Sequence, residues 1–298
     1  VTFTTDELRF RIDSLTATRP AYATVLSFLA QVRGIQETMV PDGGMLPPPP
    51  SSGEAKTHQE GGFPLVDAGT LDYSVPTVPE TAAKLLELLQ AREGEGGDDL
   101  SAYAFLGAAG DGDALRIFRM AALHDLTGLE AAATARGLNP GILTFVARGA
   151  IKPLFTALRD QLSGLLPGES WDHGTCPCCG NPPAMDRLEG EGGKRFLGCS
   201  LCELDWRFPR MQCPACGTQD QKELRRFSDE SGGEASVFLC DACHHYVKTI
   251  DGRLLDGERV VLPVEEVVTL HLDIVARRLG YLPPSVGSFA FPVGADQA

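Results

Sequence analysis

The chain has 298 residues, 43% of them hydrophobic and 22% charged, which suits a normal buried core spread over more than one small domain. Lys and Arg number 26 against 40 Asp and Glu, a net charge of −14 to which both halves contribute. Such a chain repels phosphate polyanions and disfavours nucleic acid as a partner.

Val1 to Thr18 carry Asp6, Glu7, Arg9, Arg11 and Asp13 and lack the apolar stretch of a secretory signal. The N-terminal part then reads as helices joined by short breaks. From Ala21 to Met39 the apolar residues Tyr22, Val25, Leu26, Leu29, Val32, Ile35 and Met39 recur at three- and four-residue steps behind Pro20, which suits a first helical turn. Residues 41–62 hold Gly43-Gly44, the run Pro47 to Pro50 and Gly61-Gly62, and read as a flexible Pro/Gly-rich loop. The proline run lacks flanking basic residues and is read as an insertion, not as a ligand for a proline-recognition domain.

A helix from Pro79 carries Leu85, Leu86, Leu88 and Leu89 up to a break at Gly94 to Gly97, and further helices are expected at 100–105, 114–123 and 129–136. Asn139-Pro140 supplies a cap and first-turn pair for a stretch with Ile142, Phe145, Val146, Ile151, Leu154, Phe155, Leu158 and Leu162 at helical spacing, which Pro153 should kink or divide. No run is expected to reach the roughly 18–20 apolar residues that cross a bilayer, so no membrane insertion is expected. From Trp171 short aromatic-flanked segments predict strands at 195–198, 206–209, 236–239 and 246–250. A helix at 264–279 and an irregular tail from Tyr281 end the chain.

All nine cysteines lie between Cys176 and Cys243, and eight form CxxC pairs. Close pairs of this kind favour metal over a disulfide scaffold and point to a reducing compartment, hence the cytoplasm. The pairs form two copies of one pattern: Cys176-Pro-Cys-Cys179-Gly then Cys199-Ser-Leu-Cys202, and Cys213-Pro-Ala-Cys216-Gly then Cys240-Asp-Ala-Cys243. A CxxC turn aims two thiolates at one centre, the glycine lets the backbone fold tightly behind them, and two such turns complete a tetrahedron. Aligning the copies makes Cys176, Cys179, Cys199, Cys202, Cys213, Cys216, Cys240 and Cys243 the candidate metal ligands and leaves Cys178 as the odd thiol, opposite Ala215. The four knuckles can pair in three ways. Each copy closing its own site is preferred, and a cross-braced arrangement stays open. Four sulfurs accommodate zinc or iron alike.

His173, His244 and His245 flank sites that already have four sulfurs and are read as surface or neighbouring groups, while His58, His124 and His271 are read as structural or exposed. Trp206 and Tyr246, on the strands leaving each second knuckle, are read as caps on small cores. There is no GxSxG, no phosphate-binding Gly-rich loop, no HExxH and no carboxylate pair spaced for acid and base roles. Nothing nominates a catalytic centre.

With its four knuckles in order, the run CSLCELDWRFPRMQCPACG from Cys199 to Gly217, Tyr246-x-Lys248, and PPSVGSFAFPVG from Pro283, the chain resembles the formate dehydrogenase accessory protein FdhE family over about Cys176 to Gly294. The resemblance implies a cytoplasmic, non-catalytic maturation factor that binds the catalytic subunit of a formate dehydrogenase. It also implies rubredoxin-like iron at the eight cysteines named, with zinc as the alternative metal. The fold expected is α+β: a helical domain over 1–170, two tandem rubredoxin-like or zinc-ribbon modules over 171–212 and 213–298, and a C-terminal helix. A rubredoxin-like electron carrier acting during maturation is the rival function, and homodimerisation stays open.

Overall fold

The computed structural model describes residues 3–93, 100–168, 171–228, 233–255 and 257–284. The fold is α+β. Its described residues group into two compact units, one made of 3–30, 52–65 and 165–284 and the other of 31–51 and 66–164. Grouping by contact therefore sets the first helix and a short central segment with the cysteine-rich part of the chain.

That first helix is α1 (Thr5–Thr18), which the sequence reading did not single out. Thr4 and Glu7 close a capping box at its start, with the Thr4 N–H donating to Glu7 Oε2 at 2.6 Å and the Glu7 N–H to Thr4 Oγ1 at 3.2 Å. α2 (Ala23–Thr38) follows as expected. The expected loop is only partly a loop: Ser52–Glu60 form α3, whose Ala55 is buried and whose Lys56 pairs with Glu60 one turn on. Gly and Pro cluster at the two ends of 41–62, and between them a polar nine-residue stretch free of proline is able to coil.

The unit of 31–51 and 66–164 is helical. α4 (Thr77–Glu93), α5 (Gly112–Ala122) and α6 (Leu126–Ala135) surround α7 (Pro140–Gln161). Between α4 and α5 the expected helix at 100–105 is a 3-10 helix, Leu100–Gly107, while the break at Gly94 to Gly97 lies outside the described residues. The Asn139 side chain accepts the Gly141 N–H at 2.8 Å to start α7, and a Cβ on Gly149 would stand 2.7 Å from Leu85, so α4 and α7 meet closely there. Pro153 does not divide α7, which continues through it and buries it. α7 also corrects the expectation that no run reaches the length and apolarity needed to cross a bilayer. It is long and apolar enough by length and composition to cross a bilayer, but 72% of its most apolar window is buried inside the protein, as befits a core helix.

In the other unit β1 (Pro183–Glu189), β2 (Lys194–Cys199), β3 (Asp205–Arg207), β4 (Leu224–Ser228), β5 (Ala235–Cys240) and β6 (His245–Asp251) form one six-stranded sheet in the order β3-β2-β1-β6-β5-β4. Each copy of the cysteine pattern contributes three antiparallel strands, and the copies join where β1 runs parallel to β6, Met185 opposite Lys248 through Leu188 opposite Asp251. Four of the strands were expected. β1 and β4 were not, because Asp186, Arg187, Arg225 and Arg226 interrupt the apolar pattern that marks a strand.

The single C-terminal helix is two, α8 (Leu262–Val268) and α9 (Leu270–Arg278), broken at Thr269. They close one face of the sheet. Leu262 joins Met185 and Ile250 in one core, and Leu272 and Ala276 join Val237, Leu239 and Tyr246 in another. Lys248 Nζ donates to Asp273 Oδ2 at 2.6 Å and to the Glu266 carbonyl at 2.9 Å, fastening β6 to both helices. The expected tail is described only as far as Pro284.

Candidate metal centres

Each knuckle is a short turn held by its own backbone. The Cys176 carbonyl accepts the Gly180 N–H and the Cys213 carbonyl accepts the Gly217 N–H, both at 2.9 Å, while the cysteine N–H groups donate to the Asn181 and Thr218 carbonyls at 2.9 Å. Gly180 and Gly217 have φ of 73° and 76°, so the glycine of CPxCG supplies a left-handed residue that a side chain disfavours. After the second knuckles the same left-handed turn falls on Glu203 (φ 60°) and His244 (φ 54°), where no glycine announces it.

The sheet brings these turns together copy by copy. Cys176, Cys179, Cys199 and Cys202 form one cluster and Cys213, Cys216, Cys240 and Cys243 the other, all sulfurs of a cluster lying within 4.8 Å of one another. Closest approaches are 3.5 Å for Cys176 to Cys202, 3.4 Å for Cys179 to Cys199, and 3.7 Å for both Cys213 to Cys243 and Cys216 to Cys240. A tetrahedron with metal–sulfur bonds of about 2.3 Å has sulfur–sulfur edges of about 3.8 Å, so both clusters fit a four-thiolate ion. The preferred sequential pairing is the one the geometry has.

Charge argues the same way. Burial, reinforced by the surrounding thiols, holds Cys176 well above the usual thiol range. Cys179 and Cys202 are also held well above it, chiefly by burial. Cys199 is held well below despite its burial, because the three neighbouring thiols and the Leu201 N–H, 3.4 Å from its sulfur, favour its thiolate. In the second cluster burial raises Cys213 to about 11. Burial and mutual repulsion thus oppose four thiolates at one centre unless a cation shares their charge.

The other singled-out residues fall outside the clusters. Cys178 is buried and belongs to neither. The His173 ring lies tilted against Trp171 with centroids 4.7 Å apart, His244 lies 5.7 Å from the Tyr281 ring, and His245 Nδ1 is 2.9 Å from the Cys243 carbonyl. His58 sits in α3, not in a loop, with its Nδ1 2.9 Å from the Pro64 carbonyl. Trp206 and Tyr246 are buried as expected, and the Trp206 Nε1–H donates to the His173 carbonyl at 3.1 Å.

Sequence reading missed the buried polar pair under the first copy, where Arg195 Nε donates to Asp186 Oδ2 at 2.7 Å and Nη1 to the Gln212 carbonyl at 2.9 Å. The pair joins two strands to the segment leading into the second copy. Only the isolated charges within an aromatic stretch could have hinted at it.

A single sheet built from two four-cysteine ribbons, closed by two C-terminal helices and accompanied by a helical unit, defines the class: a tandem four-cysteine protein. A family model described as "FdhE, central domain" matches residues 175–210, the whole first cluster. A protein of Aquifex aeolicus named "Protein FdhE homolog" is 30% identical over 150 residues, 49% of this chain and 51% of that one. Another so named, from Stutzerimonas stutzeri, is 26% identical over 239 residues, 78% and 67% of the respective chains. The chain spans about half the length of the first curated relatives it matches. The crystal structure of the FdhE protein from Pseudomonas aeruginosa superposes over 99% of both chains with a TM-score of 0.65 at 21% identity, a likeness of fold. The chain is thus similar in sequence to proteins named FdhE homologs, with the family-model match in its cysteine-rich part, and shares the fold of one FdhE protein.

Proposed function

We propose that this chain is a non-catalytic accessory factor for a formate dehydrogenase, binding the enzyme's catalytic subunit in the cytoplasm, with a metal ion held by Cys176, Cys179, Cys199 and Cys202 and another by Cys213, Cys216, Cys240 and Cys243. The observation that carries the reading is the pair of four-sulfur clusters in an FdhE-type fold. Iron is the metal proposed, on the family resemblance, with zinc as the alternative. When bound, the ions would tie the four knuckles together. The chain's own residues do the rest: the sheet spaces the two clusters, and α8 and α9 brace it from one face. The modules proposed are 171–212 and 213–298, behind a helical domain over 1–170.

The test is complementation. In a bacterium deleted for its own FdhE, the chain should restore formate dehydrogenase activity and co-purify with the catalytic subunit, and the Cys179→Ser and Cys216→Ser variants should restore less. A normally folded chain that neither restores activity nor binds the subunit contradicts the proposal. A second reading, electron carriage, is favoured by one observation: Cys216 is exposed, so electrons could reach the second cluster from outside. It requires the iron-loaded chain to bleach and recover on reduction and reoxidation, and a zinc-loaded chain to fail in complementation.

A further inference from the structure

The two copies share a fold but not a cover. In the first, every ligand is buried, with Cys176 and Cys202 fully so and Cys179 and Cys199 exposed by only 3% and 5%. The cover is the segment that follows α3. The Leu65 N–H donates to the Pro177 carbonyl at 3.0 Å, and the Pro64 ring stands 3.1 Å from where a Cβ on Gly180 would lie. That segment is itself fastened, the Phe63 N–H donating to the His58 carbonyl at 2.8 Å. The other knuckle of this copy is buried from Ser200 to Glu203.

The equivalent positions of the second copy are bare. Ala215, Cys216 and Gly217 are exposed, and no atom lies within 4 Å of a Cβ built on Gly217. Across the cluster Ala242 and His244 are exposed and Cys243 is half-buried, while Cys213 and Cys240 remain buried. Two ligands of this cluster are thus buried, while Cys243 is half-buried and Cys216 is exposed. Exchange of a thiolate-bound ion proceeds through attack by an incoming donor, so access to the ion and its sulfurs governs the rate.

We infer that the second cluster is the exchangeable metal site of this protein, open to competing thiol or chelating ligands, and that the first is closed to them. The inference rests on the metal reading above. With an ion held there, a donor atom of the incoming ligand would bond to it as its bond to Cys216 Sγ broke. The freed thiolate takes a proton from water, and no electron changes hands. Pro64 and Leu65 deny that approach to the first cluster.

The full chain, loaded with zinc and shown by elemental analysis to hold two equivalents, would be mixed with an excess of a chromogenic chelator. One equivalent should leave at least tenfold faster than the other. Cys216→Ser should keep only the slow equivalent and Cys179→Ser only the fast one, and Pro64→Ser should accelerate the slow phase. In parallel, N-ethylmaleimide followed by peptide mapping should label Cys216 and Cys243 before any thiol of the first copy. Release of both equivalents in one phase, or first labelling at Cys179 or Cys199, overturns the inference while leaving the metal reading intact. A chain that cannot be loaded overturns both.

Discussion

At Gly174 the chain has no room for a side chain, since a Cβ there would lie 1.7 Å from the Pro214 carbonyl oxygen. The backbone leading into the first copy thus presses against the first knuckle of the second. Gly174→Ala should cost about 1–3 kcal/mol through overpacking against backbone that cannot swing aside. A lowered urea midpoint with unchanged slope would show it, and an unchanged midpoint would deny the contact. Residues were the most legible scale: the eight clustered cysteines and the two knuckle glycines are readable from spacing, because metal chemistry constrains residue type and separation together. Gly174 was not, since nothing local distinguishes a glycine needed by a distant carbonyl from one in any loop. Nor were the left-handed turns at Glu203 and His244, where the knuckle geometry overrides residue preference.

Among elements, α1 is fastened to α8 by a buried charge. Arg11 Nε donates to Glu265 Oε1 at 2.7 Å and Nη2 to Oε2 at 3.2 Å, and Arg11 also pairs with Glu258. Both Arg11 and Glu265 are nearly inaccessible, so Arg11→Met would strand a buried carboxylate and should cost about 3–5 kcal/mol, most of it recovered by adding Glu265→Leu. Burial already holds Glu265 above the usual carboxylate range, against the pull of Arg11. Removing Arg11 raises it further, so the folded variant binds its proton more readily than the unfolded chain. The variant's deficit against wild type should therefore shrink as pH falls and widen as pH rises through the carboxyl's folded pKa. Chemical denaturation of both proteins at matched pH values checks this, and a pH-independent deficit would contradict it. Long helices such as α2, α4 and α7 were legible from apolar period. α1 was less so, because its buried face includes Arg11, and the break between α8 and α9 at Thr269 carries no proline or glycine to announce it.

At the scale of the molecule, tandem sequence copies became one sheet. The β1–β6 pairing was not legible, since the repeat predicts two ribbons and gives no reason for their edges to meet. It has a thermodynamic consequence: loosening the second copy leaves an edge of the first unpaired. In Cys216→Ser, hydrogen exchange should rise at Lys248–Asp251 and also at Met185–Leu188, while α7 in the other unit keeps its protection. Unchanged protection of β1 would mean that the copies are stable independently. The grouping of α1 and residues 52–65 with the ribbons was equally hidden, because it depends on long-range contacts such as that of Leu65 with Pro177.

Whether the two clusters hold metal is tested most directly by metal content. The chain, purified without added metal, would be analysed for iron and zinc per chain alongside Cys179→Ser and Cys216→Ser. Two ions in the wild type and one in each variant is the predicted result. No bound metal, with the eight thiols free to titrate or joined in disulfides, would contradict it.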